Sequence, residues 1–258
     1  MLSQSQIIHF AKKTIICEEC GAKKLCFNHV LNAEQKKTFC TFITNSHAFS
    51  KDQHLFRTGG ATENLYILKS GSAKSYLVSE NGDEQIIGFH FPGEVLGLDD
   101  LTNNQHASSV VFLEDSNVCS ISTNSFDALV NEIPQIQHET ISRLNEKIGH
   151  AHELLLMINH LTAEQRVAAF ILELSERMNL IGFPKTSIKL NMSRPDIANY
   201  LGLASDTVSR LLKTFERQSL ILVKNKNLEI IDFQKLRNCA TACDKCPSVL
   251  LNKNCLTN

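Results

Sequence analysis

Hydrophobic residues follow two different patterns along the chain. Between residues 50 and 121, short runs rich in Ile, Val, Leu, Tyr and Phe are broken by Ser-Gly, Asn-Gly and Pro-Gly pairs. This alternation predicts short strands and turns at the spacing of a β-roll or barrel. The pair Asn81-Gly82 predicts a tight hairpin turn, because both residue types tolerate a positive φ.

Beyond Pro134 the apolar residues recur at intervals of three and four, which predicts one long helix with a narrow apolar stripe. The stripe consists of Ile141, Leu144, Ile148, Ala151, Leu155 and Ile158. Such a helix either packs on its own domain or pairs with a second copy. The narrowness of the stripe and the polar residues between its members favour pairing.

The stretch "SRPDIANYLGLASDTVSRLLKTFERQ" has the pattern of a helix-turn-helix. Ser193 caps the first helix, with Asp196 three residues later. Ala198 lets two helices approach, Gly202 permits the left-handed turn, and Val208 packs the second helix down. Upstream, a capping box at 162–165 predicts the start of an amphipathic helix.

The second helix of this motif is predicted from about 205 to 217. Asp206, Ser209 and Arg210 share a face near its N-terminal end, where a recognition helix reaches base edges. A solvated face with an Asp–Arg pair is the alternative, but the motif favours base contact. The turn after it predicts a wing, with Lys224 and Lys226 beside phosphates.

Bulk composition is that of an ordinary globular protein. The chain has 258 residues, 43% of them hydrophobic, and a net charge of -1. Residues 161–238 carry 12 Lys and Arg against 8 Asp and Glu, which suits a nucleic-acid contact or simply a basic solvated surface. No apolar run is long enough for a membrane helix, and the start lacks the pattern of a secretory signal. We therefore expect a cytoplasmic protein without membrane contact.

Nine cysteines are many for such a chain, and the odd count leaves one outside any complete set of disulfides. Cys17, Cys20 and Cys26 lie within ten residues. In a reducing compartment, clustered cysteines bind metal or do redox work more often than they form disulfides. Cys40 is interpreted as packing inside a helix.

A second cysteine group, Cys239, Cys243, Cys246 and Cys255, has the spacing C-x3-C-x2-C-x8-C. Four thiols in so short a segment suit zinc or an iron–sulfur cluster. A thiol–disulfide switch and the absence of any function are the alternatives. The sequence therefore predicts a possible second metal or redox site in the tail.

Taken in order, these parts resemble one protein family. The relevant motifs are "CEECGAKKLC", "ENGDEQIIGFH", "SNVCSI", "AEQRVAAFI" and "RPDIANYLGLASDTVSRLL". Together they resemble the cyclic AMP receptor protein family, and within it the oxygen-sensing branch, the fumarate and nitrate reductase regulators (FNR). The resemblance covers about residues 17–232.

The resemblance implies an α+β fold of five parts. Residues 1–30 would form a cysteine-rich cluster-binding arm, and 31–132 a β-roll sensor domain similar to cyclic-nucleotide-binding domains. Residues 133–159 would form the dimerisation helix, 160–235 a winged helix-turn-helix DNA-binding domain, and 236–258 the cysteine-rich tail.

The same resemblance implies that Cys17, Cys20, Cys26 and Cys119 hold one [4Fe-4S] cluster per chain. On its own, Cys119 would be interpreted as a small buried hydrophobe, and zinc suits four thiolates equally well. The implied function is an oxygen-responsive transcription activator. It would be a homodimer on a palindromic double-stranded DNA site and would contact RNA polymerase, with the loop at 79–85 as a candidate surface.

Three positions depart from the family pattern. Leu98 replaces the phosphate-binding Glu of cyclic-nucleotide relatives, and the stretch "GLDDLTNNQHASSV" contains no Arg, so we expect no cyclic-nucleotide binding. Asp206 stands where relatives usually have Glu, which leaves its base preference open. Ala151 replaces an acidic residue, so we expect a dimer that depends less on the cluster.

Other functions remain open at this point. The same fold could act through zinc or thiol–disulfide switching. A protein of another class, an iron–sulfur electron carrier, fits the cysteines alone. No catalytic triad or phosphate-binding loop accompanies them, so we do not expect an enzyme.

Overall fold

The computed structural model describes residues 20, 26–43, 45–102 and 105–241. Within these ranges the helices are α1 (Ala33–Phe42), α2 (Thr123–Glu132), α3 (Pro134–His160), α4 (Ala163–Leu180), α5 (Arg194–Leu201), α6 (Ser205–Arg217) and α7 (Phe233–Thr241). Short 3-10 helices occupy Phe27–Val30 and Leu98–Asp100. The strands are β1 (Asn45–Phe49), β2 (His54–Phe56), β3 (Asn64–Ser70), β4 (Ala73–Val78), β5 (Glu84–His90), β6 (Val95–Leu96), β7 (Ser109–Phe112), β8 (Ser116–Ser122), β9 (Ser187–Lys189), β10 (Ile221–Lys224) and β11 (Asn227–Ile230).

Two four-stranded antiparallel sheets form the β-roll, with the strand orders β1-β8-β3-β6 and β2-β7-β4-β5. Buried apolar side chains from both sheets pack together between them: Leu68, Ala73, Leu96, Val110, Phe112 and Val118. Burial of this apolar surface is the main stabilising contribution to the roll. The architecture confirms the predicted α+β fold with an N-terminal β-roll.

The β4–β5 hairpin is longer than its turn pair predicted. β4 ends at Val78 and β5 begins at Glu84, so the loop spans 79–83. Gly82 has a φ of 86°, but Asn81 is not among the described residues with positive φ. The Ser79 N–H donates to the Asp83 carbonyl (2.9 Å), and this bond closes the wider loop. The hairpin predicted at Asn81-Gly82 is therefore present, but only Gly82 takes a positive φ.

α3 passes to α4 through a capped junction. The Thr162 hydroxyl accepts from the Gln165 N–H (3.3 Å), and the Gln165 amide oxygen accepts from the Thr162 N–H (2.8 Å). The predicted capping box is confirmed. Arg166 then donates to the Ile158 carbonyl (2.5 Å) and the Leu201 carbonyl (3.1 Å), which ties the ends of α3 and α5 to α4.

The helix-turn-helix follows its sequence signals closely. Ser193 and Asp196 form a reciprocal capping box at the start of α5, and Gly202 ends that helix with a φ of 62°. Val208 lies on the inner face of α6 and is fully buried. The bounds of α6, Ser205–Arg217, agree with the prediction. β10 and β11 form the predicted wing, and β9 adds a third strand to it.

The helix-turn-helix domain packs against the edge of the β-roll. β5 is the last strand of its sheet, and Asn199 of α5 bonds to its backbone. The Asn199 side-chain oxygen accepts from the Ile86 N–H (2.6 Å), and its nitrogen donates to the Glu84 carbonyl (2.7 Å). Lys74 forms an ion pair with Asp196 at the same place. These bonds satisfy part of a strand edge that would otherwise be open.

A half-buried ion pair joins the same two domains. Arg177 of α4 donates to Glu94 (2.7 Å), which follows β5, and its guanidinium lies 4.7 Å from the centre of the Phe91 ring. His90 lies 3.1 Å from the other Glu94 oxygen. Burial by itself raises the pKa of Glu94, but the Arg177 charge and the His90 ring outweigh that effect and lower it to about 2.

Candidate functional site

The recognition helix presents the polar face that the sequence predicted. Asp206 and Arg210 are exposed and Ser209 is half-buried. Among the described residues, Asp206 and Arg210 do not form an ion pair with each other. On the opposite side, Val208, Leu212 and Phe215 are buried and hold α6 on its domain, so the polar face is available to a groove of DNA. Lys224 and Lys226 of the wing are also exposed.

α3 exposes part of the predicted apolar stripe. Ile141, Ile148 and Leu155 are 52%, 55% and 60% exposed, and Ala151 lies exposed between them. Two other members of the stripe contact their own chain: Leu144 packs on the sensor core, and Ile158 lies against Gly202. Each exposed residue is one heptad from the next, so they form a single line of apolar surface.

Cys119 lies in the middle of β8, which pairs with β1 on one side and β3 on the other. Successive strand residues point to opposite faces. Val118 therefore enters the core between the sheets, whereas Cys119 and Ile121 join a second core on the outer face. This second core also contains Cys26 and Phe27, and half-buried Cys40 of α1 packs on it. The prediction that Cys40 packs in a helix agrees with this position.

Two of the four predicted ligands, Cys26 and Cys119, lie in this outer-face core, and Cys20 is close enough to affect the pKa of both. Cys26 immediately precedes the 3-10 helix Phe27–Val30 and is 8% exposed. Cys119 is 6% exposed. Burial raises the pKa of Cys26 to about 11, and interactions with Cys119 and Cys20 add to the shift, while an Asn28 backbone hydrogen bond and the Arg143 charge oppose it. Cys17 lies outside the described residues.

Burial also raises the pKa of Cys119 to about 11, and Cys20 again contributes. Both buried thiols are therefore neutral at neutral pH. A metal ion deprotonates a coordinating thiol outright, so binding there would release protons. Among the described residues, no three His, Cys, Asp or Glu side chains already surround a single ion position. A [4Fe-4S] cluster does not need its ligands around a single ion position, because each thiolate bonds a different iron. The donor set of Cys20, Cys26 and Cys119 fits such a group.

Sequence reasoning missed the residues that join this site to α3. Arg143 lies over the Phe27 ring, 5.1 Å from its centre, and pairs with Glu139 at 2.8 Å. His29 lies 3.8 Å from the same Glu139 oxygen. The signal was present: Ile136, Thr140 and Arg143 recur at helical spacing on the face opposite the exposed stripe.

Comparison with known proteins identifies the family. Residues 46–132 match the cyclic nucleotide-binding domain, and residues 165–239 match the Crp-like helix-turn-helix domain. The chain is 36% identical over 222 residues to the anaerobic regulatory protein of Haemophilus influenzae, covering 86% of each chain. It is 35% identical to the fumarate and nitrate reduction regulatory protein of Vibrio cholerae, covering 88% of this chain and 90% of that one. The chain belongs to the CRP/FNR family of transcription regulators.

Solved structures agree with this assignment. FixK2 from Bradyrhizobium japonicum superposes with a TM-score of 0.71 at 27% identity, covering 77% of this chain and 98% of that one. The regulator CLP of Xanthomonas campestris gives 0.63 at 17% identity, covering 78% and 100%, which shows the fold alone. CRP/FNR regulators bind DNA and are dimers, and they are not enzymes.

In this CRP/FNR chain, buried side chains bond to one another in the stretch that the family resemblance matches to the nucleotide phosphate site. Asp100 is buried and accepts from the His106 ring (2.9 Å) and the Ala107 N–H (3.1 Å). The His106 ring stacks on Phe56, with the ring centres 3.7 Å apart. Leu98 is also buried. A phosphate placed here would meet a carboxylate without solvent to separate the charges.

The second cysteine group is only partly within the described residues. Cys239 lies on α7, half-buried against the core of the DNA-binding domain. Burial raises its pKa, and Glu164 adds to the shift. Cys243, Cys246 and Cys255 lie outside the described residues, so the tail site stays a prediction. In the part of the chain that the structure describes, no helix is long and apolar enough to span a membrane.

Proposed function

We propose that this CRP/FNR regulator responds to oxygen through a [4Fe-4S] cluster held by Cys17, Cys20, Cys26 and Cys119. When bound, the cluster supplies an oxygen-labile link between the N-terminal segment and β8. With the N-terminal segment held in this way, two chains pair along α3. The pair places two α6 helices about one DNA turn apart on a palindromic promoter site.

The position of Cys26 and Cys119 in one core beside α3 supports this proposal. These two thiols come from distant parts of the chain and pack with Phe27 and Ile136 of α3, and Cys20 is close enough to affect the pKa of both. The opposite face of α3 exposes Ile141, Ile148 and Leu155. Loss of the N-terminal anchor would therefore loosen the packing behind the apolar stripe. The bistable element is dimer against monomer.

The relatives support the anaerobic role. They include the anaerobic regulatory protein of Haemophilus influenzae and electron transport regulator A of Shewanella oneidensis, which is 36% identical over 86% of this chain and 89% of that one. Activation would use contact with RNA polymerase through the loop at 79–85. Residues 79–83 of that loop are exposed and so available to a partner, whereas Glu84 and Gln85 bond to Asn199 of α5.

Cyclic-nucleotide control is not part of the proposal. The buried Asp100 carboxylate and the His106 ring occupy the corresponding place in the roll. Asp99 beside them pairs with Lys147 of α3 (2.9 Å). An isothermal titration with cyclic AMP should release no heat, and saturable binding would contradict this part.

The test is anaerobic purification, followed by iron, sulfide and zinc analysis, a visible spectrum before and after air, and fluorescence anisotropy with a labelled palindromic duplex. We expect about four irons and four sulfides per chain, with bleaching in air and loss of DNA affinity. The Cys119→Ala variant should lose the iron. Cys40→Ala is the matched control, because Cys40 packs on the same core but is not a predicted ligand.

Three results would count against the proposal. If the protein contains zinc and no iron, and its spectrum does not change in air, it does not sense oxygen through a cluster. DNA binding controlled by zinc or by a thiol–disulfide switch would then be favoured. Equal iron loss in the Cys119→Ala and Cys40→Ala variants would make Cys119 a packing residue. Iron-dependent electron transfer without duplex binding would favour an electron carrier.

The C-terminal cysteines are proposed as a second metal or redox site. The close spacing of Cys243 and Cys246 to Cys239 on α7 supports this idea. Replacing Cys243 and Cys246 by Ser should lower the metal content by about one zinc or about one cluster. If iron, sulfide and zinc per chain do not change, the tail holds no metal.

A further inference from the structure

Arg143 joins the inner face of α3 to the segment that carries Cys26. Its guanidinium carbon lies 5.1 Å from the centre of the Phe27 ring, and its Nη2 lies 2.8 Å from Glu139 Oε1. The Arg143 and Glu139 side chains are only 15% and 14% exposed. A cation so well removed from water interacts strongly with charges next to it.

The backbone on this side of the site is also fixed. The His29 N–H and ring Nδ1 both bond to the Cys26 carbonyl, at 3.1 and 2.8 Å. Phe27 is fully buried, with its ring 6.2 Å from that of Phe39 and 6.0 Å from that of Phe126. These contacts hold residues 26–29 in one position against Arg143.

We infer that Arg143 is a positioning residue for the cysteine site, one that anchors the Cys26 segment to α3 and sets a positive charge beside the thiolates of a bound iron–sulfur group. This inference rests on the proposed function and deepens it. Four thiolates give such a group net negative charge, which a neighbouring buried cation stabilises. Arginine suits both tasks, since its planar group stacks on Phe27 while it stays charged.

Lys147 offers a matched comparison one helical turn further along α3. It pairs with Asp99 of the β-roll at 2.9 Å, and Arg143, not Lys147, is the charge that lowers the pKa of Cys26. The Lys147→Gln variant removes one positive charge from the same helix, away from Cys26. The Arg143→Gln variant removes the charge beside Cys26, and Arg143→Lys keeps the charge without the planar group.

The experiment compares these full-length variants with wild type after anaerobic purification. It measures iron and sulfide per chain, the half-life of the visible absorbance in air, and the melting temperature of the metal-free chain. We expect Arg143→Gln to shorten the half-life about tenfold, as outer-sphere changes at metal sites do. Lys147→Gln should stay within about twofold of wild type, and Arg143→Lys should recover most of the loss. The metal-free melting temperature of Arg143→Gln should fall, because Glu139 loses its partner, and that of Arg143→Lys should fall less.

Three outcomes would overturn the inference. Equal half-lives for Arg143→Gln and Lys147→Gln would remove the special role of Arg143. An Arg143→Lys variant as short-lived as Arg143→Gln, with an equally lowered metal-free melting temperature, would reduce the role to packing. If wild type itself takes up no iron, the proposed function fails first and this inference with it. That case is distinguishable, because all four proteins would then be iron-free.

Discussion

The DNA-contact helices and the cysteine site differ in how the chain builds them. α5 and α6 come from one continuous stretch, 193–217, whose ends are set by a capping box and by Gly202. The cysteine site joins Cys20 and Cys26 to Cys119 on a central strand far later in the chain. The first site is local in sequence and the second exists only once β8 and α3 are packed.

The two sites also differ in burial. Asp206 and Arg210 are exposed, so their replacement should change binding and leave the fold intact. Cys26 and Cys119 are buried in a core, so their replacement acts on cofactor retention and on packing together. Tests of the first site can use single variants, whereas those of the second need a packing control.

The largest effect is expected from Phe215→Ala, which separates the two regions by unfolding one of them. Phe215 is fully buried under α6, and the change should cost the DNA-binding domain about 3–5 kcal/mol. Urea unfolding followed by circular dichroism, duplex binding and iron content are measured together. DNA binding should be lost while iron stays. Phe183→Ala, at an exposed ring, is the control. Loss of iron in step with DNA binding would show that the regions unfold as one unit.

The second effect concerns the ion pair between the two regions. Because the pKa of folded Glu94 is lowered to about 2 from an ordinary value of 4.5, Glu94 contributes stability above about pH 4.5. That contribution is lost as the pH falls from 4.5 towards 2. Between pH 5 and pH 3, wild type should lose on the order of 2 kcal/mol more than Glu94→Gln in chemical denaturation.

At pH 7 the same Glu94→Gln variant should be destabilised by about 1–3 kcal/mol, because half-buried Arg177 would lose its shorter ion pair and keep only Glu173 at 3.6 Å. Glu132→Gln, at an exposed position, should behave as wild type at both pH values. Parallel stability curves for wild type and Glu94→Gln would disprove a role for this pair in acid stability.

A third effect tests the exposed face of α6. Arg210→Ala should weaken binding to the cognate duplex about tenfold to a hundredfold, without changing iron content or melting temperature. Lys226→Ala on the wing should instead weaken all duplexes similarly and lower the salt slope by about one. Fluorescence anisotropy at several salt concentrations measures both. If Arg210→Ala weakens binding to all duplexes equally, Arg210 contacts phosphates and does not read bases.

The smallest effect is expected on the helix that lies between the two regions. Ala151→Asp would face two carboxylates towards each other across paired stripes, and should raise the dimer dissociation constant about tenfold. Metal-free wild type, with alanine here, should stay largely dimeric at micromolar concentration in sedimentation equilibrium. A mostly monomeric metal-free protein would contradict that expectation.

Sequence reasoning succeeded where a signal acts over a few residues. The capping boxes at Thr162 and Ser193 and the positive φ of Gly202 were all predicted, because each depends only on near neighbours. At Asn81-Gly82 the predicted hairpin is present, but only Gly82 takes a positive φ, because the bond from Ser79 to Asp83 sets a wider loop. Sequence reasoning also assigned Leu144 to the apolar stripe of the dimer interface, although its side chain packs on the sensor core.

By itself, the sequence determined the order of the parts, the bounds of α6, its polar face and the period of α3. These features follow from spacing along one helix or strand, where covalent geometry sets which residues share a face. Only the tertiary structure decided that Cys119 points to the outer face of its sheet, and that Arg143 and Glu139 face Phe27 and His29. It also decided that α5 closes the edge of β5 through Asn199. Those contacts join residues far apart in the chain, and the packing of buried surfaces selects them.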